Sequence, residues 1–523
     1  MKPLSRILRT VVAVILAVAA IAVYCYCFDT KLDLNGDNAT YISLARNLAS
    51  GHGYSDVGYG GEYLPASQFP PGYPFLLSLM VRMGLDSLLA FKILNGVLLL
   101  LSLAVVFLLF KGLTEDFLFA GFVTLLCILS PRLIRFATIV MSETGYMFFV
   151  LLAFFALWHL GKGVRRFGLW FWIATLSAVA AYYFRGLGLS VMGAVVVFFL
   201  FRREWLRAGV SAAAQIALIV PWSLRNRSLG IVSRYLDTVM VVNPWRPDLE
   251  QVSGTESLFH KAWINLYDTT LNGFRRILFP DSIASWNDSP NFLAVLAGFL
   301  ILAVVVYGLW NMKSLRWAFL AFLAANLAIF MVWHSGNDYR YAVPYIPIVI
   351  AGFWYGLKTL AGRFVKGVSP WLVMLPLAFA TVAFSFIQIR DLRRMATSGY
   401  PQAYNYYFSM AEKIQSLNPD PGSMSPVAIC CRKPELFHYY APSFYCCNYP
   451  YTGDSKEMAR FFLDRKVGFV VVDMLGYSST ELFLIPALGD MVDLITTVSS
   501  NDDGSVVFSL DLPALKERYG EGI

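Results

Sequence analysis

The sequence predicts a polytopic α-helical membrane protein with about eleven transmembrane helices. It adds interfacial helices in the first external loop and a small C-terminal α/β extracytoplasmic domain. Three observations carry that prediction. Of 523 residues, 57% are hydrophobic and only 15% charged, against about 25% charged in a soluble domain. The mean hydropathy is +0.58. The apolar residues come in long runs, while the last 130 or so residues return to a soluble composition. A soluble multidomain protein, a disordered chain, a coiled coil, collagen and a secreted disulfide scaffold are thereby excluded. The net charge of +8 needs no nucleic acid to explain it, because basic residues of a polytopic protein collect in cytoplasmic loops.

A spanning helix needs about 20 mainly apolar residues. Such segments lie near 11–28, 88–110, 116–131, 140–160, 167–184, 186–201, 206–222, 291–310, 315–333, 340–360 and 369–388. Lys2, Arg6 and Arg9 precede the first run, as in a signal peptide, but the run is long for one and reads as a retained anchor. With the N-terminus inside, the inner loops hold Lys111, Lys162, Arg165, Arg166, Arg202, Arg203, Arg207, Lys313, Arg316, Lys358, Arg363 and Lys366. Short outer loops hold only Arg132, Arg135, Arg185 and Arg340. The asymmetry makes the N-terminus cytoplasmic and the C-terminus external. Residues 1–390 then form the transmembrane part and 391–523 the external domain. In that domain VAICC, GFVVVD and GSVVFSL read as strands, and QAYNYYFSMAEKIQSL and SKEMARFFLDRK as helices.

Cys25, Cys27 and Cys127 lie in apolar runs and read as small hydrophobes. Cys430, Cys431, Cys446 and Cys447 form two adjacent pairs without zinc-site spacing. In an oxidising compartment one or two disulfides there would tie neighbouring strands.

The outer loops hold the residues with chemical potential. In the first, 29–87, Asn35-Gly36 signals a turn and Asp37 opens a helix. Tyr41, Leu44, Ala45 and Leu48 recur at helical spacing, giving an amphipathic helix suited to the membrane interface, and Gly51 and Gly53 end it. The plain reading of Asp37 is an N-cap. Glu143 stands at the outer end of a spanning helix, where an acid is costly without a cavity or partner. A salt bridge to Arg135 or Arg132 would supply one. Arg185 is the lone charge of AYYFRGLGLS and would snorkel to the headgroups. Trp222 and Arg225 are ordinary interface anchors, and His334, Asp338 and Arg340 share a short outer loop that a capped turn would explain. Taken together, these positions hold two acids and several arginines. The arginine fork binds phosphate oxygens bidentately. Acids and arginines at the lipid surface suit displacement at a sugar carbon bound to a lipid phosphate. An aspartate takes the proton of the acceptor hydroxyl and arginines stabilise the departing phosphate.

The ordered motifs resemble one family. They are Asp37-x-x-x-Tyr41 with Ala45-Arg46-Asn47-Leu48 and Gly51-x-Gly53, then Phe69-Pro70-Pro71-Gly72-Tyr73-Pro74. Ser142-Glu143, Pro221-Trp222-x-x-Arg225-Asn226 and Asp338-Tyr339-Arg340-Tyr341-x-x-Pro344 follow. Over residues 5–390 the chain resembles the GT-C superfamily of polytopic glycosyltransferases, in the bacterial branch related to the lipid A aminoarabinose transferase and protein O-mannosyltransferases. The resemblance implies Asp37 as catalytic acid of the first external loop and Glu143 as the second. Glutamate stands there where close relatives often carry aspartate. It implies Arg340, Arg185 and Arg225 as ligands of the donor phosphate, and Tyr41, His334 and Asp338 as substrate contacts. Asn38 after Asp37 departs from the Asp-Glu pair of the O-mannosyltransferases. Some superfamily oligosaccharyltransferases need a divalent metal, but the scattered acids here do not make a convincing metal site, so no cofactor is expected. The expected function is transfer of a sugar from a polyprenyl-phosphate donor to a lipid, glycan or protein hydroxyl at the outer face of a bacterial inner membrane, with inversion. The alternatives are a flippase of lipid-linked glycans, which should show repeats and charges near the midplane, and a membrane scaffold, which leaves the acids and arginines unexplained.

Overall fold

The computed structural model describes residues 6–58, 62–161, 167–230, 254–279, 291–333, 339–418 and 424–520. Each of the eleven predicted apolar segments is helical. They appear as α1 (Arg6–Tyr26), α4 (Leu88–Thr114), α5 (Phe117–Ile128) with α6 (Pro131–Ala137), α7 (Glu143–Leu160), α8 (Leu169–Phe184), α9 (Leu189–Phe201) and α10 (Trp205–Ser228). Helices Phe292–Asn311, Arg316–Val332, Ile346–Phe364 and Pro370–Thr397 complete the series. Among the described residues six helices are long and apolar enough to cross a membrane, or seven if α5 and α6, bent by 60°, form one span. α8, α9 and Arg316–Val332 are shorter. Length and composition therefore establish a multi-pass membrane protein but not eleven crossings. The bend at Ser130-Pro131 has a cause: Ser130 caps α6 by accepting from Leu133 N, and Pro131 cannot continue the ladder of α5.

The chain divides into two compact units. The first holds Met1–Lys31, Ser67–Tyr73 and Gly84–Thr397; the second holds Leu32–Ala66, Pro74–Met83 and Ser398–Ile523. Most of the first external loop thus belongs with the C-terminal residues, whereas the sequence drew its one boundary at 390/391.

The first unit is a helix bundle whose core is aliphatic and aromatic. Phe91, Phe110, Phe119, Phe154, Phe171, Phe199 and Trp354 are fully buried. Helix Phe292–Asn311 lies directly on Ile346–Phe364. A Cβ at Gly308 would fall 1.8 Å from the Gly352 carbonyl oxygen, so only glycine permits that backbone contact. Polar bonds fasten α1 to the bundle: the Tyr24 hydroxyl donates to Lys92 O at 2.7 Å. Buried Lys92 in turn donates its ammonium to the carbonyls of Asp29, at 2.7 Å, and Lys31. In hydrocarbon such pairing is what makes a lysine tolerable.

The second unit contains a five-stranded sheet of order β4-β3-β5-β7-β6. Its strands are β3 (Ala428–Cys430), β4 (Cys446–Cys447), β5 (Val467–Val472), β6 (Ile495–Ser500) and β7 (Val506–Leu510). β3 runs parallel to β4 and β5, and β7 runs antiparallel to β5 and β6. The three expected strands and both expected helices, Gln402–Gln415 and Ser455–Asp464, are present. β4 and β6 have no clear sequence signal: one is two residues long, the other a Thr/Ser-rich edge. The first-loop part of this unit comprises α2 (Asp37–Ala49), the hairpin of β1 (Ser55–Val57) with β2 (Tyr63–Pro65), and all but the first two residues of α3 (Gly72–Arg82).

Asp473, just past β5, is buried, and its Oδ1 accepts from Leu475 N. Burial pushes its carboxyl from 3.8 up to about 6. A raised carboxyl stabilises the fold below its unfolded value and loses that contribution as pH rises through the folded value. Ionisation should therefore cost the unit about 3 kcal/mol between pH 4 and 7. Asp473→Asn should resist protease digestion better than wild type at pH 7.5 and equally at pH 4; equal resistance at both would contradict this.

Candidate functional site

In the second unit, Asp37 is the first residue of α2. Its N-cap is Gly36, at φ 90°, and not Asp37 itself. The N-capping reading of Asp37 is corrected: a left-handed residue precedes the helix, and glycine supplies it without strain. That places the Asp37 carboxylate, only partly buried, on the first turn of the helix. Downstream, α2 is buried at Asn38, Ala39, Thr40, Tyr41, Ile42, Leu44, Ala45 and Asn47. The face expected to meet lipid is thus covered by protein. Tyr41, an expected substrate contact, is 2% exposed and is a packing residue in this arrangement. Gly51 and Gly53, both at positive φ, follow the helix end as expected.

Sequence reasoning missed what faces Asp37 from the C-terminal part of the same unit. A Cβ on Gly36 would lie 3.4 Å from Glu435 Oε2. Glu435 begins the helix Pro434–Tyr440 and is solvent-reachable in a crowded recess. Crowding pushes its carboxyl up, Lys433 pulls it down, and the charges of Asp37 and Asp56 push it up further. Asp56 on β1 is raised by burial and partly relieved by His438. Lys433 Nζ donates to Leu34 O at 3.4 Å, and Arg46 of α2 lies 5.7 Å over the Tyr439 ring. Residues 433–439 therefore line α2 from the turn before it, at Leu34 and Gly36, to its last turn, at Arg46. Pro434-Glu435 is an ordinary helix opening, so no local signal could have found Glu435.

In the first unit, Glu143 and Arg185 are brought together. Arg185 Nη1 lies 2.6 Å from Glu143 Oε1, with the side chains 11% and 0% exposed. The same nitrogen donates to Ser142 Oγ at 3.4 Å, and the guanidinium sits 5.4 Å over the Tyr341 ring. Both simple sequence readings are thereby corrected. Among the described residues Glu143 pairs with neither Arg132 nor Arg135, and Arg185 turns inward to this acid, its side chain 11% exposed. The reason is geometric: Arg185 is the extended cap that ends α8, while Glu143 opens α7, packed antiparallel beside it. Gly145 permits the close approach, since a Cβ there would meet the Phe184 ring at 2.3 Å. Tyr146 and Tyr345, within electrostatic reach of Arg185, are buried. The niche therefore holds one paired cation beside two buried tyrosines.

Arg225, near the end of α10, lies 4.9 Å over Trp222 and donates to Asn226 Oδ1 at 3.0 Å. The backbone of Arg340 lies in the 3₁₀ turn Tyr339–Tyr345. His334 and Asp338 fall outside the described residues, as do 231–253 and 280–290 of the external stretch 223–290. Among the described residues no group of three or more His, Cys, Asp or Glu side chains is set to hold a metal ion.

An apolar helix bundle, an acid opening a helix soon after the first span, and a terminal α/β unit define a class: a polytopic membrane protein of the GT-C fold. Among solved structures the chain is similar to ArnT from Cupriavidus metallidurans bound to undecaprenyl phosphate. That likeness has 13% identity and a TM-score of 0.56, over 96% of this chain and 98% of that one. It is similar also to the oligosaccharyltransferase AglB from Archaeoglobus fulgidus, in complex with an inhibitory peptide and a dolichol-phosphate. Here the figures are 13% identity, TM-score 0.57, and 96% and 74% coverage. A third likeness is to the arabinofuranosyltransferase AftD from Mycobacteria, at 13% identity and TM-score 0.50, over 97% of this chain and 42% of that one. At these identities the likeness establishes the fold. No family model and no curated protein matches the chain.

Proposed function

We propose that this protein is a membrane glycosyltransferase. It moves a sugar from a polyprenyl-phosphate donor to an acceptor hydroxyl at the outer face of a bacterial inner membrane, with inversion and without a cofactor. The observation that carries the reading is the end-to-end likeness to a GT-C transferase holding undecaprenyl phosphate. In this reading all eleven helical segments cross or enter the membrane, the short ones with the help of neighbours. The N-terminus is cytoplasmic and the C-terminal domain external. The acceptor is a lipid, glycan or protein, membrane lipids surround the bundle, and nucleic acid has no part.

Asp37 is the base that removes the acceptor proton. Its partly exposed carboxylate at a helix start suits that task. The developing charge falls on the departing lipid phosphate, which arginines meet. Arg340 is first among them by motif, with Arg185 and Arg225. Glu143 serves as a positioning residue: its carboxylate holds the Arg185 guanidinium in place beside the Tyr341 ring. His334 and Asp338 are retained as substrate contacts.

The test uses purified protein in nanodiscs with a panel of polyprenyl-phosphate sugars and crude membrane acceptors. Release of free polyprenyl phosphate that requires Asp37 supports the reading and names the sugar. No release from any donor, with lipid-linked glycan moving between leaflets instead, rejects it in favour of a flippase. Arg340→Ala should weaken donor affinity about tenfold or more, the scale of one charge-assisted hydrogen bond. Unchanged affinity would remove Arg340 from the phosphate site.

A further inference from the structure

The four C-terminal cysteines stand on two adjacent parallel strands. β3 pairs with β4 in the register Ile429↔Cys446 and Cys430↔Cys447. Successive side chains of a strand point to opposite faces. Cys430 and Cys447 therefore share one face, and Cys446 shares the other with Cys431, the residue following β3. The side chains agree: all four are free thiols in this structure, with the Cys430 thiol neighbouring that of Cys447 and the Cys446 thiol that of Cys431. Cys430 and Cys447 both belong to the apolar core of the sheet. Four thiols split between two faces cannot converge on one metal ion, which needs a single tetrahedral focus. Cys430 and Cys447 are directly opposed and so lie within the Cα separation a disulfide spans, whereas Cys446 is opposed to Ile429 and meets Cys431 diagonally, two residues further along the same face.

We propose that the mature domain carries two stacked disulfides, Cys430–Cys447 and Cys431–Cys446. The segment they close includes Lys433, Glu435 and Tyr439, the residues that line α2. Cross-linking both ends of that segment holds it against the sheet. Each bond forms by thiol–disulfide exchange with a protein carrying a reactive disulfide. The two thiols lose two protons and pass two electrons to that donor, which leaves as a dithiol. Cys430 and Cys431 are fully buried, so the bonds close during folding and afterwards resist reduction. The inference rests on the external placement of this domain and not on the transfer reaction, so an activity assay on the same samples reports separately on the reaction.

The experiment counts thiols in the full chain, acid-quenched in membranes, alkylated in denaturant and weighed by mass spectrometry. With seven cysteines in the chain, wild type should show three alkylatable thiols before reduction and seven after. The variants C430S/C447S and C431S/C446S should each keep one disulfide and gain two thiols on reduction. C430S/C446S, which leaves Cys431 and Cys447 on opposite faces, should gain none. Seven thiols in unreduced wild type would overturn the proposal. So would a gain of two thiols by C446S/C447S, which would reveal a vicinal Cys430–Cys431 bond.

Discussion

Asp37→Asn should lower sugar transfer by about 10²–10⁴-fold while leaving the fold intact, the scale of a general base in the transition state. Asparagine has the same shape and fits a first helical turn. Asp37 is partly exposed, and Gly36 rather than Asp37 caps the helix, so the substitution removes a charge and little packing. The measurement is initial rate of polyprenyl-phosphate release at saturating donor and acceptor, with circular dichroism as the folding check. If Asp37 is the base, the loss falls on kcat and donor affinity is preserved. Full activity in a folded Asp37→Asn protein would reject the assignment. A loss confined to KM would make Asp37 a binding residue.

The second large effect concerns Glu143 and Arg185. Removing one member of a buried ion pair strands the other and costs about 3–5 kcal/mol. Arg185→Ala should therefore destabilise the bundle strongly, because Glu143 is fully buried and its carboxylate lies 2.6 Å from the lost guanidinium. Replacing both partners by apolar residues of similar size is often neutral or stabilising. The double variant Glu143→Leu/Arg185→Met should thus regain thermal stability in nanodiscs. What separates structure from chemistry is the activity of that stable double variant. If Arg185 meets the leaving phosphate, transfer should still be down about 10²–10³-fold, as for one electrostatic donor. Recovery of transfer together with stability would make the pair purely structural.

Much of this was legible in the chain. Hydropathy located every helix long and apolar enough to span because burial in lipid demands runs, and runs survive any rearrangement in space. The strands β3, β5 and β7 were legible for the related reason that core strands are continuous and β-branched. The count of crossings was not, because α8, α9 and Arg316–Val332 are too short for length alone to decide. β4 and β6 escaped because an edge strand is defined by its neighbour, not by its own residues.

The candidate site divides in the same way. Sequence singled out Asp37, Glu143 and Arg185 as charges that an apolar chain cannot carry idly. It could not pair Glu143 with Arg185, since their meeting depends on α7 and α8 packing antiparallel with a glycine between them. Nor could it bring Glu435, Lys433 and Tyr439 to α2, far away in the chain.

What the sequence determined by itself was the solvent each segment requires and the kind of charge each outer loop offers. Both follow from side-chain transfer energies and need no coordinates. What only the tertiary structure decided was partnership: which acid holds which arginine, which segment lines α2, and which cysteine faces which. Those depend on approach distances of a few ångströms between residues remote in sequence, and no local pattern encodes them.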